Sequence, residues 1–376
     1  MELKKLKKFD KQIYFIKIIL WDFCPLRCLY CFVDKTNKKV IKKDTLKNMI
    51  DLLLYSPWKN KLLHLLGWEP LLFWDEIVYG VKYARKLAKE LSKDLDISFC
   101  TTWLYFDEEK LKFINEQQIC LAWSIDWPEE IHDKNRKTIT WKWTFKDVIS
   151  KKELVFDNIR KTHLWIAMTI DENTVDSLFS SYKYLVNKEK FDCTINIAPV
   201  DWKKWKKEKE KKFVEELIKI HEYLVMEIEN NRFIFLNSLN KEFRFNMLSA
   251  FRNKGRCLWF YTEAFYTWEI LFNPFVNKEE DYSKFVVWNI DDENFFEQID
   301  KYIWCKFDNE SEKCRKCRED YFEPMMWKNL ENIELNKMLK YRDKISIFYA
   351  NKIRLRAKKE KNFKKYIEIA KNMMYV

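Results

Sequence analysis

The sequence predicts an α/β protein built on a parallel sheet or open barrel, followed by a small metal-binding domain and by helices. Two observations predict the parallel sheet or open barrel. Short apolar runs alternate about six times with segments of helical apolar spacing, which is typical of repeated strand–helix units. Polar and cysteine-containing motifs follow several of these runs, and parallel α/β folds place their chemistry at the carboxyl ends of the strands. A second, later group of cysteines predicts the small domain.

The strand–helix units can be placed along the chain by their apolar pattern. The predicted strands are residues 13–20, 61–66, 95–100, 119–125, 164–169 and 193–198. The predicted helices are residues 44–55, 75–93, 107–115, 145–155, 175–186 and 206–228. Asp44 is the expected N-cap of the first helix, and Pro199 is expected to end the last strand. Residues 329–374 have a helical and basic pattern.

Composition and charge restrict the class of protein. The formal net charge is +12, which is compatible with an acidic partner such as nucleic acid. The lysines are spread over the whole chain, however, and Lys, Asn, Ile, Phe and Tyr are abundant together, which favours A/T-rich codon composition as the origin of the charge. No apolar run approaches the ~20 residues that a membrane span needs. The basic residues 1–8 are not followed by the apolar core of a signal peptide. We therefore expect a cytoplasmic protein without membrane association.

A cysteine cluster follows the first predicted strand. Cys24, Cys28 and Cys31 form a CxxxCxxC run, and three thiolates within eight residues can surround one metal site. In a [4Fe-4S] cluster, three cysteines leave one iron open to bind and reduce a ligand. Structural zinc is the alternative, although it usually takes four protein ligands and closer CxxC pairs. The spacing favours the iron–sulfur cluster over zinc.

This run, with the aromatic Tyr30 before its last cysteine, resembles the signature of the radical S-adenosylmethionine (SAM) superfamily. The resemblance implies a partial (β/α)6 TIM-like barrel. It also implies that SAM chelates the open iron through its amino and carboxylate groups. One electron would then cleave SAM to methionine and a 5′-deoxyadenosyl radical, which abstracts hydrogen from a substrate.

Further runs at later strand ends resemble motifs of the same family. Residues 67–70 read Gly-Trp-Glu-Pro where the family has GGEP, and residues 101–103 read Thr-Thr-Trp where it has Thr-Asn-Gly. Residues 124–130 (SIDWPEE) resemble S-[IL]-D-G-P-x-x, residues 132–136 (HDKNR) match HDxxR, and residues 141–145 (WKWTF) resemble GxGTF. This set is typical of the branch with SPASM or twitch extensions, which includes peptide maturases and anaerobic sulfatase-maturing enzymes.

The resemblance assigns SAM contacts to seven residues of these runs. They are Gly67, Trp68, Glu69, Pro70, Ser124, Asp126 and Arg136. A guanidinium such as that of Arg136 suits a carboxylate because it donates two parallel hydrogen bonds. The alternatives are a surface salt bridge for Arg136 and a turn-capping role for Asp126. His132 is interpreted as structural, and no catalytic residue is assigned.

The second cysteine group consists of Cys257, Cys305, Cys314 and Cys317, the last two in a CxxC pair. Asn273 stands where the SPASM pattern has a further cysteine, so one ligand of that pattern is missing. Four cysteines suffice for one site with four thiolate ligands. We expect a single auxiliary [4Fe-4S] cluster, with structural zinc or a metal-free remnant as the alternatives.

Glycine and tryptophan usage is anomalous. The chain has 3 Gly and 17 Trp, whereas the average glycine usage of about 7% would give about 26 glycines. Several Trp stand where turns or motifs ask for glycine, including Trp68, Trp127, Trp141 and Trp143. We expect positive φ angles at residues 127 and 143. Our hypothesis is that many of these Trp are glycines in the cell, because some bacterial lineages read UGA as glycine. The alternative is a genuinely Trp-rich protein.

These observations combine into one prediction of domains and function. We expect a radical SAM core in residues 1–235, a SPASM/twitch-like domain in 236–328 and a basic helical segment in 329–376. The function would be hydrogen abstraction from a peptide or protein side chain, with flavodoxin or ferredoxin as the reductant. The alternatives are a metal-binding, nucleic-acid-associated protein and a radical SAM enzyme that acts on a small molecule or RNA.

Overall fold

One sheet organises the part of the chain that the structure, a computed structural model, describes. The described residues are 13, 15–21, 23–31, 40–57, 59–67, 69–200, 204–243, 261–264, 269–271, 286–289 and 337–373. Their strands are β1 (Phe15–Ile19), β2 (Asn60–Leu66), β3 (Asp94–Thr101), β4 (Cys120–Ser124), β5 (Leu164–Ile170), β6 (Thr194–Pro199), β7 (Phe235–Leu236), β8 (Tyr261–Ala264), β9 (Glu269–Leu271) and β10 (Val286–Asn289).

The strand order is β10-β9-β8-β1-β2-β3-β4-β5-β6-β7. Strands β1 to β7 pair in chain order and in parallel, and β8 joins the free side of β1 in parallel. Within this sheet, β9 and β10 add the antiparallel pairs. The predicted parallel α/β architecture, a sheet that curls into a partial barrel, is confirmed. Because the strands are parallel, their carboxyl ends meet at one edge.

Helices connect and cover these strands. In chain order they are α1 (Lys43–Tyr55), α2 (Trp74–Glu90), α3 (Glu108–Glu116), α4 (Glu129–Asn135), α5 (Phe145–Ile149), α6 (Lys152–Asn158), α7 (Leu178–Asn187), α8 (Lys207–Glu229), α9 (Asn237–Phe243), α10 (Lys337–Ala357) and α11 (Lys361–Ala370). Short 3-10 turns occupy Pro70–Phe73, Lys161–His163 and Val175–Ser177. Among the described residues, no helix is long and apolar enough to cross a membrane.

Alternation along the strands separates an apolar face from a polar one. The face under the helices carries the core, and its fully buried members include Ile18, Leu63, Ile97, Leu121, Ile166 and Ile195. The other face carries polar side chains, such as His64 on β2, whose Nδ1 lies 2.7 Å from Ser98 Oγ on β3. Burial lowers the pKa of His64 to about 3, so its imidazole is neutral. The helices therefore cover one face, and the polar face lines the inside of the curled sheet.

Three local expectations are corrected by the structure. Lys42, not Asp44, is the N-cap of α1, and Asp44 lies in the first turn, where its charge still favours the helix dipole. The helix expected over 145–155 is two helices, α5 and α6, interrupted at residues 150–151. Pro199 is the last residue of β6 rather than the residue after it, which a proline without an N–H can be at a strand end.

The carboxyl-terminal helices pack on the sheet domain. Ser346 on α10 lies 3.1 Å from His221 Nε2 on α8 and donates to Ser238 on α9 over 2.8 Å. Cys257, Cys305, Cys314 and Cys317 lie outside the described residues, as does most of the predicted domain 236–328. The boundaries of the three predicted domains and the auxiliary cluster therefore stay predictions.

Candidate functional site

The candidate site lies along the carboxyl edge of the parallel strands. The loop with the first cysteines follows β1, Glu69 follows β2, and Thr101 and Thr102 lie where β3 ends. Ser124 is the last residue of β4. These motifs are far apart in sequence, and the parallel pairing brings them to one edge.

Cys24, Cys28 and Cys31 lie on the loop that leaves β1. Cys24 is buried, the other two are half-buried, and none of the three is in a disulfide. A turn holds the second and third cysteines together, because Cys31 N donates to Cys28 O over 3.0 Å. The backbone N–H of Leu26 faces Cys24 Sγ at 3.4 Å. The loop thus presents three thiols in one tight segment.

Glu69 joins the ends of β2 and β3 through a fully buried carboxylate. Its Oε1 accepts from Thr101 Oγ1 at 2.6 Å and from Leu71 N at 3.2 Å. Its Oε2 accepts from the backbone N–H of Thr102 at 2.9 Å and from the Thr102 hydroxyl. Burial raises the pKa of Glu69, and these hydrogen bonds act in the opposite direction. Four donors therefore fix the carboxylate in place.

Gly67 and Pro70, the described neighbours of Glu69 in this run, are also buried. An added Cβ at Gly67 would lie 2.4 Å from Trp21 Cε2, so only glycine fits at this close approach. Pro70 begins the 3-10 turn that leads into α2. Trp68 lies outside the described residues.

Asp126 is the centre of a second buried cluster. Its carboxylate accepts from Arg136 Nε at 3.0 Å and from Arg136 Nη2 at 3.1 Å, which is a bidentate ion pair. It also accepts from the Tyr30 hydroxyl at 2.6 Å and from Thr169 N at 3.1 Å. Burial raises the pKa of Tyr30 well above its usual value, so the phenol is a donor. The alternative of an exposed salt bridge for Arg136 is wrong, because both partners are buried.

Ser124 and His132 differ in their surroundings. Ser124 Oγ lies 3.1 Å from Cys100 Sγ, and burial raises the pKa of this thiol. His132 Nε2 contacts Thr144 Oγ1 at 3.1 Å, while Nδ1 faces the backbone of Asp126. Burial lowers the pKa of His132 to about 4. These contacts support the structural role expected for His132.

The loop supplies three thiols, and thiolates are the ligands that iron–sulfur clusters use. By donor type the loop therefore fits such a cluster, and three ligands would leave one iron of a [4Fe-4S] cluster without a protein ligand from this loop.

Two of the tryptophans at turn or motif positions have unusual backbone angles. Positive φ angles occur at Trp103 (69°) and Trp141 (61°). Residues 127 and 143 do not have positive φ, so that expectation is wrong. The tight turn spans residues 138–142, where Trp141 N donates to Thr138 O over 2.9 Å, and residue 143 lies beyond it. The hypothesis that many Trp are encoded glycines stays a prediction.

Comparison with known proteins identifies the class of this fold and site. Residues 18–174 match the family model described as Radical SAM superfamily, so this part of the chain is a radical SAM domain. Such a domain implies a SAM-binding [4Fe-4S] cluster.

The similar proteins include cysteine-type anaerobic sulfatase-maturating enzymes. The enzyme of Clostridium perfringens (strain ATCC 13124) is 29% identical over 179 residues, and that of Clostridium novyi is 25% identical over the same length. Each alignment covers 44% of this chain and 46% of the relative, so the chain matches about half the length of these relatives.

Solved structures share the fold of this chain over different shares of its length. Native anSMEcpe with bound AdoMet and Cp18Cys peptide matches with a TM-score of 0.67 at 19% identity, covering 96% of this chain and 100% of that one. Streptococcus suis SuiB bound to the precursor peptide SuiA matches with a TM-score of 0.50 at 12% identity, covering 71% and 61%. At these identities the likeness shows the fold.

Several contacts of the site were not indicated by the sequence alone. Thr102 donates a hydrogen bond to Glu69, and Cys100 lies within hydrogen-bond distance of Ser124. Tyr30 donates a hydrogen bond to Asp126. The aromatic nature of Tyr30 marks the cysteine run, but nothing in that run indicates a partner for its hydroxyl. Such pairs depend on which strands are neighbours, which the strand order reveals only in three dimensions.

Proposed function

We propose that the chain is a radical SAM enzyme whose [4Fe-4S] cluster is held by Cys24, Cys28 and Cys31. The observation that carries the proposal is the position of the three-thiol loop at the carboxyl edge of a parallel sheet, inside the matched residues 18–174. When bound, the cluster supplies the electron that cleaves SAM to methionine and a 5′-deoxyadenosyl radical.

The residues around the loop have separate roles in this proposal. Gly67 and the buried Glu69 shape the end of β2 for the SAM amino group, and Ser124 at the end of β4 serves the carboxylate or ribose. Thr101 and Thr102 hold the Glu69 carboxylate in one orientation. Trp68, Pro70, Asp126 and Arg136 remain proposed members of the SAM site.

We propose a peptide or protein side chain as the substrate. The support is the similarity to sulfatase-maturating enzymes and to structures solved with peptides bound. A low-potential electron carrier such as flavodoxin or ferredoxin is the proposed reductant.

The test of the proposed activity uses the cysteine triad. Anaerobically reconstituted protein with dithionite should cleave SAM to 5′-deoxyadenosine. Changing Cys24, Cys28 and Cys31 together to Ala should abolish cleavage, because the cluster loses all its protein ligands. The matched control changes Cys120 and Cys193 to Ala. Both thiols are buried; Cys120 lies on β4, and Cys193 lies just before β6. Persistent cleavage in the triad variant would remove the proposal.

A separate experiment addresses the auxiliary cluster proposed for Cys257, Cys305, Cys314 and Cys317. The triad variant should retain about four irons per chain, because one cluster with four cysteine ligands remains. The count is made by iron analysis and Mössbauer spectroscopy after reconstitution. Zinc in place of iron would favour the structural alternative, and absence of both metals would contradict an auxiliary site.

A further inference from the structure

We propose that Tyr30, Asp126 and Arg136 form a clamp that fixes the cysteine loop in the shape it needs before the cluster binds. The inference rests on the proposed cluster site but concerns the loop itself. In this role Asp126 and Arg136 are positioning residues, which act on the thiols through Tyr30 and not by touching the reacting atoms.

The side chains of the clamp connect three segments. Tyr30 lies between Cys28 and Cys31, and its hydroxyl donates to Asp126 Oδ2 over 2.6 Å. Asp126 follows β4, and Thr169 N on β5 donates to its Oδ1. The loop is thus joined to the ends of two strands. Tyr30, Asp126 and Arg136 are all buried, at 7%, 1% and 6% exposure, so water does not compete for these bonds.

Arg136 completes the charge balance of the clamp. Its Nε and Nη2 both face Asp126, and its guanidinium carbon lies 5.4 Å from the centre of the Tyr30 ring. The edge of the guanidinium that could grip a carboxylate with two parallel bonds is therefore used by Asp126. In this conformation that edge is not available to the carboxylate of SAM. The geometry assigns this edge of Arg136 to holding the loop, so the SAM contact proposed for Arg136 would use its remaining N–H groups.

The main chain reinforces the same connection. Residues 25–29 of the loop and residues 135–139 pair through three backbone hydrogen bonds. Arg27 N donates to Lys137 O over 2.7 Å, Leu29 N to Asn135 O over 3.0 Å, and Ile139 N to Pro25 O over 2.7 Å. Leu26 and Thr138 form an antiparallel bridge between them. The segment after α4 is therefore a template for the backbone between the first two cysteines.

The two sets of contacts are coupled, because Arg136 belongs to both. Its side chain holds Asp126, and its neighbours Asn135 and Lys137 supply the carbonyls that the loop amides bond. Loss of the Tyr30 hydroxyl should therefore loosen the backbone pairing as well. A hydrogen bond to a charged acceptor is stronger than a neutral one, so the effect should be measurable at the amides.

The test compares two Tyr→Phe variants of the full-length, metal-free chain by hydrogen exchange and mass spectrometry. Y30F removes only the hydroxyl that donates to Asp126. Y182F is the matched control, since the hydroxyl of Tyr182 on α7 is fully buried and has no hydrogen-bond partner among the described residues. In Y30F, exchange in peptides covering residues 25–31 and 135–139 should be about tenfold faster, the factor that ~1.4 kcal/mol gives.

The expected result is faster exchange at both segments in Y30F only, together with slower iron incorporation during reconstitution. Equal exchange in Y30F, Y182F and the unchanged protein would overturn the clamp. This readout needs neither a cluster nor SAM cleavage. If the protein binds no cluster at all, the proposed function fails while the exchange result still decides the clamp. If SAM cleavage occurs with unchanged exchange, the clamp alone fails.

Discussion

Trp103 and Trp141 are the residues at which sequence and backbone conflict most. Both have positive φ, in the left-handed region that costs a residue with a side chain about 1–2 kcal/mol. Trp103 is also fully buried, and its indole N–H is one of four in the described part that are buried without a partner, together with those of Trp21, Trp123 and Trp127. An unpaired buried donor costs about 1–3 kcal/mol. Glycine at residue 103 would remove both costs, and glycine at residue 141 would remove the backbone cost.

Trp141 allows the cleaner test, because its side chain is 65% exposed and its loss opens no cavity. We predict that W141G raises the free energy of unfolding by about 1 kcal/mol, since relief of the left-handed backbone exceeds the extra chain entropy of glycine. W143G is the matched control. Trp143 is 71% exposed but lacks positive φ, so W143G should lower stability by about 0.5–1 kcal/mol. Urea unfolding measures both.

The masses of native peptides test the wider hypothesis that many of these tryptophans are encoded glycines. Peptides of the native protein that cover residues 103 and 141 should have the mass expected for glycine if UGA is read as glycine in the source cell. Peptides with the mass of tryptophan at both positions would contradict this reading. Equal stability changes in W141G and W143G would show that residue 141 carries no backbone strain.

At the scale of elements, the first six strands were predictable and the short helices were not. The six predicted strands correspond to β1–β6, because buried parallel strands are continuous apolar runs bounded by polar residues. Helix α4 has seven residues and lies inside a motif-rich run, so no helical period could be counted there. Asp133 accepts from the backbone N–H groups of Thr144 and Phe145, which fixes the start of α5 from eleven and twelve residues away. The spacing of apolar residues within α5 does not predict this contact.

The residues of the candidate site can be proposed from motifs in the sequence, but their hydrogen-bond partners cannot. Motifs at the ends of β1, β2 and β4 identify Cys24, Glu69 and Asp126 from the amino-acid sequence alone. The sequence does not show that Glu69 is held by β3, or that Asp126 is held by Arg136 and Tyr30. Those bonds join segments about 10 to 96 residues apart in sequence, and they exist only once the strands are ordered.

At the scale of the whole molecule, buried neutral histidines couple stability to acid. His221 lies where α8, α9 and α10 meet, with Nδ1 2.7 Å from Leu217 O and its ring 5.0 Å from that of Tyr349. Burial lowers its pKa to about 4, and His64 and His132 have pKa values lowered to about 3 and about 4. In the unfolded chain, histidine titrates near pH 6.5. All three groups therefore resist protonation only while the chain is folded.

The sign of this coupling follows from proton counts. Below pH 6.5 the unfolded chain binds a proton at residue 221 that the folded chain excludes until about pH 4. Stability from this group is thus complete above pH 6.5 and is lost as the pH falls toward 4. Each pH unit in that window costs about 1.4 kcal/mol per histidine. The loss from pH 7 to pH 5 should be about 2 kcal/mol for His221 alone.

We predict that H221Q makes the loss of unfolding free energy between pH 7 and pH 5 smaller by about 2 kcal/mol, whatever its cost at pH 7. Urea unfolding of the full-length, metal-free chain at both pH values measures this, because cluster loss in acid cannot then contribute. H163Q is the control. His163 is half-buried and its pKa is also lowered by burial, so removing it should change the pH dependence less. An unchanged pH dependence in H221Q would mean that folding does not lower the pKa of His221, and that the contacts joining α8 to α10 do not exclude the charge.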